Sequence, residues 1–445
     1  MKKRYRLTGA QLILLGFASM ILIGALLLML PWASQERKWT PFIDALFTAT
    51  SAGCVTGLVV HDTATYWSVF GKIVLFALIQ IGGLGIITMT IIFFRLAGKK
   101  IGLAHRSTMQ EAVSAPQIGG IVQMTRRIVL MTLLFETLGA VCLMPAFIRD
   151  FGVARGITYS IFHSVSAFCN AGFDLMGVLS PGCSLTPFYD DPVVNITLML
   201  LIQVGGLGFL VWEDLFRCRW RVKRWRLHTK LVMSVSAILT FGGALLFFFF
   251  EAGATGEGLT LGGRVWTALF ASVTARTAGF NTVDVGSMAG ASKLLTIFLM
   301  VIGGSPGSTA GGVKTTSLAV IVLFAYASFR GREKPTVFGR SISVDTFRKS
   351  CGVLFFNINL ALIAAILLCA WQPLDPVAAV FETVSAIGTV GMTAGITQSL
   401  CPFSAYIIAL LMFLGRVGSV SFAVALLAKR SAPPVEYPVE EITVG

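Results

Sequence analysis

Four segments of the sequence share one short phrase, in which a phenylalanine is followed about ten residues later by a glycine. Small residues surround each glycine, and glycine reaches backbone angles that other residues avoid, so successive carbonyls can point the same way. Stacked rings of main-chain carbonyl oxygens can replace the hydration shell of a cation. We therefore predict an ion-coordinating filter made of each glycine and the two residues before it: Val55, Thr56 and Gly57; Asn170, Ala171 and Gly172; Thr277, Ala278 and Gly279; and Thr389, Val390 and Gly391.

The spacing of these glycines predicts an internal repeat, because they lie 115, 107 and 112 residues apart. The predicted repeats are 1–105, 106–228, 229–345 and 346–445, with pore loops at 41–62, 157–178, 264–285 and 376–397. Each repeat is expected to contain an outer helix, a loop that enters from outside, and an inner helix. The inner helices also repeat a pair of mostly small residues suited to close packing, at Gly82 and Gly83, Gly205 and Gly206, Gly303 and Gly304, and Gly415 and Arg416.

The composition indicates a membrane protein, since 55% of the residues are hydrophobic, 13% are charged and the mean hydropathy is +0.81. Two crossings in each repeat give all repeats the same orientation. The predicted fold class is therefore all-α integral membrane, with four parallel helix–pore-loop–helix repeats around a pseudo-fourfold axis, like a potassium channel. Apolar runs long enough to cross a bilayer predict eight crossings, at 9–31, 73–94, 128–147, 193–212, 231–250, 294–329 with an interruption, 353–370 and 406–428.

The net charge of +14 is unevenly distributed, and this distribution sets the predicted orientation. Of the 35 Lys and Arg residues, 25 fall in segments predicted to be inside, which places both termini in the cytoplasm and makes nucleic-acid binding unnecessary as an explanation. The basic stretch 217–226, which contains Trp220 and Trp225, could bind RNA or lipid on its own. Between two crossings it is more simply a cytoplasmic anchor with interfacial tryptophans, and docking of a cytosolic partner stays open.

Four charged residues lie close to the predicted filter, and the three acids among them allow two interpretations. Asp62, Asp174 and Asp284 follow three of the glycines and could form an acidic outer vestibule that concentrates cations, or could serve only loop solubility. Arg276 lies three residues before Gly279 and is expected to brace the third loop through hydrogen bonds to carbonyls or to an acid.

Arg416 occupies the position that glycine holds in the other three repeats. A cation within an apolar helix costs about 2.5–3.5 kcal/mol, so it should face a polar cavity or a partner. Below a cation filter it would act as an electrostatic barrier to leakage. The alternative is a structural salt bridge to Glu136, the acid inside an outer helix.

The third inner helix is interrupted by a glycine-rich segment that cannot propagate a helix. Unwound backbone at membrane depth must line a cavity, so we predict a movable gate on the cytoplasmic side of the filter, with Lys314 tethering its end to an acid or to carbonyls. The stretch lacks a preceding strand and a Gly-Lys-Ser/Thr ending, which argues against nucleotide binding. The gate residues are Gly303, Gly304, Ser305, Gly307, Ser308, Thr309, Gly311 and Gly312.

Over nearly its whole length the chain resembles the Trk/Ktr/HKT superfamily of potassium transporters, and specifically the membrane subunit of Ktr-type bacterial uptake systems. The resemblance is carried by the segments that end in Gly57-Leu, Gly172-Phe, Gly279-Phe-Asn and Gly391-Met, by Gly415-Arg416-Val-Gly, and by Lys99-Lys-Ile-Gly-Leu. It implies a transporter and not an enzyme, without an organic cofactor. Some plant relatives carry Ser at the first filter glycine and pass sodium, so Gly57 favours potassium.

The resemblance also implies partners. Family members form homodimers in which each subunit has its own pore, and they sit on a cytosolic ring of nucleotide-binding regulatory subunits in the bacterial cytoplasmic membrane. Many are stimulated by Na⁺. Two other functions stay open from the sequence, namely the translocating subunit of a potassium-pumping ATPase and a transporter of organic solutes.

Overall fold

The computed structural model describes residues 9–85, 121–219 and 221–418, and within them the chain is mostly helical. Each predicted repeat contributes one long outer helix. These outer helices are α1 (Gly9–Met29), α4 (Ile121–Phe151), α8 (Leu227–Phe250) and α12 (Val344–Trp371). The Lys99-Lys-Ile-Gly-Leu motif, Trp220, the C-terminal tail and the far ends of the predicted crossings 73–94 and 406–428 lie outside the described residues.

After each outer helix comes a short helix of 13 to 17 residues. At 1.5 Å per residue such a helix is about 20–26 Å long, which is less than the hydrocarbon thickness of about 30 Å. Their C-terminal halves are almost fully buried, and the repeated phenylalanines Phe47, Phe270 and Phe381 are at most 1% exposed. The short helices are α2 (Phe42–Cys54), α5 (Val153–Cys169), α9 (Leu261–Thr274) and α13 (Pro376–Gly388).

Three of the four inner helices described here end at a glycine. The first two and the fourth end at Gly85, Gly208 and Gly418, which have φ of 83°, 93° and 87°. These angles favour glycine and stop a right-handed helix. The inner helices are α3 (Val69–Leu84), α6 (Pro192–Leu207) with α7 (Phe209–Cys218), α10 (Gly290–Val301) with α11 (Thr315–Phe329), and α14 (Pro402–Val417).

The breaks change how the predicted crossings are counted. Residues 193–212 were predicted as one continuous crossing, but α6 and α7 meet at Gly208 with a bend of 96°. The interruption predicted within 294–329 is present between Val301 and Thr315. Within the described ranges, 4 helices are long and apolar enough to cross a membrane, or 5 if the bent pair forms one span, and the other inner helices are shorter apolar helices.

The short helices form the centre of the molecule. Each packs against the outer helix of its own segment, and each contacts the inner helix of the segment before it. The short helices α2, α5 and α13 also pack against the inner helix of their own segment. The contacts between segments follow the chain order and close on themselves, since α3 contacts α5, α6 contacts α9, α10 contacts α13, and α14 contacts α2. The C-terminal ends of the short helices are thereby brought together.

One small hairpin departs from the all-α prediction. Strands β1 (Thr336–Val337) and β2 (Arg340–Ser341) pair antiparallel between α11 and α12. Beside it, Val320, Phe324 and Ile342 form a small buried cluster separate from the main core.

Candidate functional site

Each short helix ends in a turn that reverses the chain direction. Val55, Asn170 and Thr389 follow three of the helices with φ of 58°, 58° and 52°, the left-handed conformation of a C-terminal cap. The next residue then donates a backbone hydrogen bond to the serine five residues earlier, for example from Thr56 to Ser51 at 2.8 Å. The helix ends are thus capped by the turn itself.

The third turn is one residue shorter than the others. Its helix continues into Ala275 with right-handed angles, and the positive φ of 77° falls on Thr277. Thr277 still lies two residues before its glycine, as Val55 does in the first turn. The third phrase is therefore shorter at the end of the helix, and the conformation two residues before the glycine is the same as in the other turns.

The four glycines contact one another's turns in a closed ring. Their φ angles of 68° to 100° lie in the region that side-chain-bearing residues rarely adopt. A methyl group added at any one would meet the carbonyl oxygen before the glycine of the next turn. The distance from the added methyl carbon to that carbonyl oxygen is 2.6 Å from Gly57 to Ala171, 2.7 Å from Gly172 to Ala278 and 2.6 Å from Gly279 to Val390. At Gly391 the added methyl carbon would overlap the Thr56 carbonyl oxygen.

Hydroxyl side chains at the ends of the short helices hold the turns in place. The Ser51 and Ser385 hydroxyls accept hydrogen bonds from the amides of Gly57 and Gly391 at 3.0 and 3.1 Å. In the other two turns the hydroxyl donates, from Ser166 to the Phe173 carbonyl and from Thr274 to the Phe280 carbonyl, both at 2.7 Å. Sequence reasoning missed these residues, although a Ser or Thr recurs at this place in all four phrases.

A cavity of about 460 Å³ lies beside the ring and is lined by all four glycines. It is called the outer cavity here, after the predicted orientation. Asp62, Asp174 and Asp284 line the same cavity. Their carboxylates also hold the surrounding loops, because Asp62 accepts from the Gly182 amide at 3.1 Å and Asp174 from the Met176 amide at 2.9 Å. Asp284 likewise accepts from a nearby amide. The three acids are therefore both cavity-facing and structural.

Glu382 is a buried acid that the sequence analysis did not single out. It lies in α13 with no exposed surface. Its carboxylate accepts hydrogen bonds from the hydroxyls of Thr393, at 2.8 Å, and Thr397. Both threonines line the outer cavity beyond Gly391, so Glu382 supports the fourth turn from behind.

Arg276 does brace the third loop, but through a different partner from those predicted. Its guanidinium donates to the Thr240 hydroxyl on α8 at 2.5 Å, and not to a carbonyl or an acid. Its Nε atom is buried without a hydrogen-bond partner. Thr240 also accepts from Gln203 at 2.7 Å, so the outer helix α8 supplies a polar contact shared by Arg276 and Gln203.

Arg416 is not among the residues that line the outer cavity, and it binds main-chain carbonyls. Its guanidinium donates to the carbonyls of Thr309 and Gly82, and to that of Gly83 at 3.3 Å. The alternative salt bridge to Glu136 is not formed, since that carboxylate accepts instead from Gln80 at 3.1 Å. Arg416 thus joins the end of α3 to the segment between α10 and α11.

The predicted gate segment, residues 303–312 and here called the gate loop, is bonded to the inner helix of the second repeat. The Ser305 and Thr309 amides donate to the carbonyls of Gly206, at 2.9 Å, and Gly205, at 3.2 Å. The Gly307 carbonyl accepts from the Phe209 amide at 2.7 Å. The loop is therefore held at the bend between α6 and α7.

Other gate-loop contacts reach the glycine-bearing turns and the end of the loop itself. The Thr309 hydroxyl donates to the Phe168 carbonyl in α5 at 3.1 Å, and a methyl group added at Gly311 would overlap the Thr389 side chain. Lys314 donates to the carbonyls of Ala310, at 2.8 Å, and Gly311, at 3.4 Å. Of the two kinds of partner predicted for Lys314, an acid or carbonyls, the structure shows carbonyls. The close-packing glycines also approach short-helix carbonyls, as Gly205 does at Phe168.

With this geometry described, comparison with known proteins assigns the family. Residues 8–433 match the family described as "TrkH: Cation transport protein". The chain belongs to this family. It is therefore a member of a family of membrane cation transport proteins and not an enzyme, as the sequence resemblance predicted.

Among relatives of this TrkH-family chain, a potassium/sodium uptake protein of Enterococcus hirae is 40% identical over 100% of this chain and 99% of its own length. A Ktr system potassium uptake protein B of Bacillus subtilis is 38% identical over 100% of this chain and 98% of its own. The crystal structure of the potassium transporter TrkH from Vibrio parahaemolyticus superposes with a TM-score of 0.74. It covers 96% of this chain and 86% of that one at 18% identity, a likeness of fold.

Proposed function

We propose that the chain carries K⁺ into the cell through a channel-like selectivity filter formed by the four glycine-bearing turns. The closed ring of contacts among Gly57, Gly172, Gly279 and Gly391 carries this proposal. Four turns that meet on one axis, each with a carbonyl beside the neighbouring glycine, supply oxygen ligands on all sides of an ion. The potassium uptake named for the relatives supports K⁺ as the ion.

The ligands are the main-chain carbonyls of the twelve residues predicted for the filter. A ring of neutral carbonyls binds a dehydrated cation without the strong hold of a carboxylate, so the ion can leave again. Asp62, Asp174 and Asp284 form an acidic vestibule that raises the local cation concentration at the outer mouth. The membrane potential drives entry, at about 2.3 kcal/mol per charge per 100 mV.

The gate loop and Arg416 control the path on the inner side of the filter. The loop lies against Thr389 of the fourth turn, and Arg416 places a positive charge at the same level. A cation that leaves the filter meets this charge before it reaches the cytoplasm. Displacement of the loop away from the ring opens the path.

The proposed topology has four parallel repeats, 1–105, 106–228, 229–345 and 346–445, arranged around a pseudo-fourfold axis with both termini in the cytoplasm. Each repeat crosses the membrane once through its outer helix and returns through its shorter or broken inner helix. The cyclic contacts between the inner helices and the next short helices support this arrangement. The positive-inside distribution of Lys and Arg supports the orientation and the bacterial cytoplasmic membrane as the location.

The proposed assembly is a homodimer on a cytosolic ring of nucleotide-binding regulatory subunits, with Na⁺ as a candidate stimulating ion. The relatives named as components of Ktr systems support a regulatory partner. The potassium/sodium uptake named for the Enterococcus hirae relative supports a test of Na⁺.

The deciding experiment is rescue of potassium-limited growth in a transporter-deficient bacterial strain, with and without Na⁺, together with ⁸⁶Rb⁺ uptake. We expect rescue by the wild type and none by Gly391→Asp, which puts a side chain and a charge into the ring. Organic solutes should not compete with Rb⁺. Rescue by Gly391→Asp at the level of the wild type is incompatible with the filter assignment.

A further inference from the structure

A second cavity, of about 470 Å³, lies between the N-terminal third of α4 and the short helix α7. It is away from the four turns and plays no part in the ion path described above. In the proposed topology it opens at the cytoplasmic surface of the membrane, since α7 leads directly into the basic stretch 217–226. Its position therefore places it where lipid headgroups lie.

The rim of this cavity carries two arginines on different helices. Arg127 comes from α4 and Arg217 from the end of α7, and both are exposed. Glu213 also lines the cavity, so these three side chains have a net charge of 2 − 1 = +1. The adjoining basic stretch adds further positive charge to the same surface. An anionic group at the rim is favoured by this charge.

The interior of the cavity is lined by apolar side chains, and one of them, Trp212, is held by a hydrogen bond. Ile128, Met131, Phe209 and Trp212 contribute to it. Trp212 is 5% exposed, and its indole donates to the Val204 carbonyl at 3.0 Å. Its ring centroid lies 5.1 Å from that of Phe209. Such an apolar interior can contact a hydrocarbon chain, and it offers no hydrogen-bond donor to a free phosphate ion.

We propose that this cavity binds an anionic phospholipid of the inner leaflet, with the phosphate at Arg127 and Arg217 and an acyl chain along Met131, Phe209 and Trp212. Guanidinium groups recognise phosphate through paired hydrogen bonds. A basic rim over an apolar interior, between helices at the membrane surface, matches both parts of one lipid molecule.

The site is coupled to the gate loop through contacts of Phe209 and Trp212, two residues of its interior. This coupling rests on the proposed function. The Phe209 amide donates to the Gly307 carbonyl of the loop at 2.7 Å. Trp212 packs on Phe168, at 5.7 Å between ring centroids, and the Phe168 carbonyl accepts from Thr309 of the loop. Lipid in the cavity fixes α7, and with it the bend to which the loop is bonded, so the lipid sets how readily the gate opens.

The test measures lipid binding and ion uptake separately. The full chain in neutral detergent is titrated with phosphatidylglycerol, phosphatidylcholine or inorganic phosphate, and binding is measured by native mass spectrometry and the thermal unfolding midpoint. We expect selective binding of phosphatidylglycerol that weakens about five-fold for each arginine changed in Arg127→Gln and Arg217→Gln. Arg340→Gln, an exposed arginine outside the cavity, is the matched control and should bind as the wild type.

Two further variants guard against misfolding. Arg127→Lys with Arg217→Lys keeps the charge and should restore most of the binding, whereas Met131→Trp fills the interior and should abolish it with both arginines intact. Equal binding by the double glutamine variant and the wild type overturns the site. Displacement of phosphatidylglycerol by inorganic phosphate at similar concentration overturns the lipid assignment.

Uptake of ⁸⁶Rb⁺ is then compared in vesicles of phosphatidylcholine alone and of phosphatidylcholine with phosphatidylglycerol in equal amount. We expect a several-fold difference for the wild type and Arg340→Gln, and none for the double glutamine variant. If the wild type binds phosphatidylglycerol selectively but its ⁸⁶Rb⁺ uptake is the same in both kinds of vesicle, the link to the gate is overturned. Selective binding without uptake in any vesicle counts against the proposed function and leaves the lipid site supported.

Discussion

The guanidinium of Arg416 donates a hydrogen bond to the main-chain carbonyl of Thr309, and so ties the fourth inner helix to the gate loop. The same group donates to Gly82 and Gly83 at the end of α3. Carbonyls, and no carboxylate among the residues the structure describes, compensate the charge. One side chain therefore combines a positive charge near the proposed ion path with a brace on the loop.

Arg416→Ala should increase Rb⁺ uptake by about ten-fold, because it removes both the charge and a charge-assisted hydrogen bond of about 1.5 kcal/mol or more. The measurement is the initial rate of ⁸⁶Rb⁺ uptake into vesicles under a fixed potential. Arg416→Lys keeps the charge but loses the planar fork, so it separates the two roles. Unchanged uptake in Arg416→Ala would refute the barrier.

Deleting residues 305–311 should also raise uptake, because the deletion removes the segment that lies against the fourth turn. Thr309→Val is the milder change and removes only the hydroxyl bond to Phe168, worth about 1 kcal/mol, for an increase of about five-fold. Ser308→Ala is the matched control, since the Ser308 hydroxyl bonds within the loop to Ser305. A deletion variant that folds normally and transports nothing would argue against a gate.

Gly391→Ala should abolish selective uptake, since a methyl group there overlaps the Thr56 carbonyl and φ is +91°. Gly395→Ala is the control, because Gly395 has a similar φ of +96° and nothing within 4 Å of the added methyl. The control pays only the backbone strain of about 1 kcal/mol and should transport K⁺. Equal loss in both variants would mean that strain, and not the ring contact, is responsible.

Much of the helical architecture could be predicted because glycine and apolar patterning are local signals. The broken third inner helix follows from five glycines and a proline between 303 and 312, and the close approach at Gly82, Gly205 and Gly415 follows from small residues alone. The bend at Gly208 was missed. A single glycine in an apolar run does not show whether it packs against a neighbour or adopts a positive φ, and that depends on the loop bonded to Phe209.

The partners of charged residues were harder to predict than their positions. Arg276 was expected to meet a carbonyl or an acid, and Thr240, 36 residues away, is its partner instead. The position of Glu382 could have been noticed, because a carboxylate in a short apolar helix needs a polar partner, but the sequence does not show which residues supply it. Only the fold brings Thr393 and Thr397 over it.

Glu382→Ala should weaken discrimination of K⁺ against Na⁺, because the two threonine hydroxyls at the outer end of the fourth turn lose their acceptor. Stability should also fall, by about 1–3 kcal/mol for the unsatisfied buried groups. Competition of Na⁺ with ⁸⁶Rb⁺ uptake measures the first effect and thermal unfolding the second. Glu382→Gln retains an acceptor oxygen and should keep more of the selectivity. Lower stability with unchanged selectivity would assign Glu382 to the scaffold alone.

The outer cavity should make uptake sensitive to external pH through Asp174. Burial raises the pKa of this carboxyl to about 6, and the nearby Asp62 acts in the same direction. Since a pKa of about 6 still lies below pH 7.5, the carboxyl is charged at pH 7.5 and takes up a proton as the pH falls through about 6. The vestibule then loses one negative charge, and the apparent KM for Rb⁺ should rise while the maximal rate changes little.

Asp174→Asn should show, already at pH 7.5, the higher KM that the wild type reaches only at acidic pH. The KM of this variant should be the same at pH 7.5 and at acidic pH. The measurement is ⁸⁶Rb⁺ uptake against concentration at both external pH values, with the internal pH held constant. Asp284→Asn is the comparison, since Asp284 lines the same cavity. If it lowers affinity but leaves the pH dependence in place, Asp284 is not the titrating group. A pH dependence that survives Asp174→Asn unchanged would exclude this carboxyl as its source.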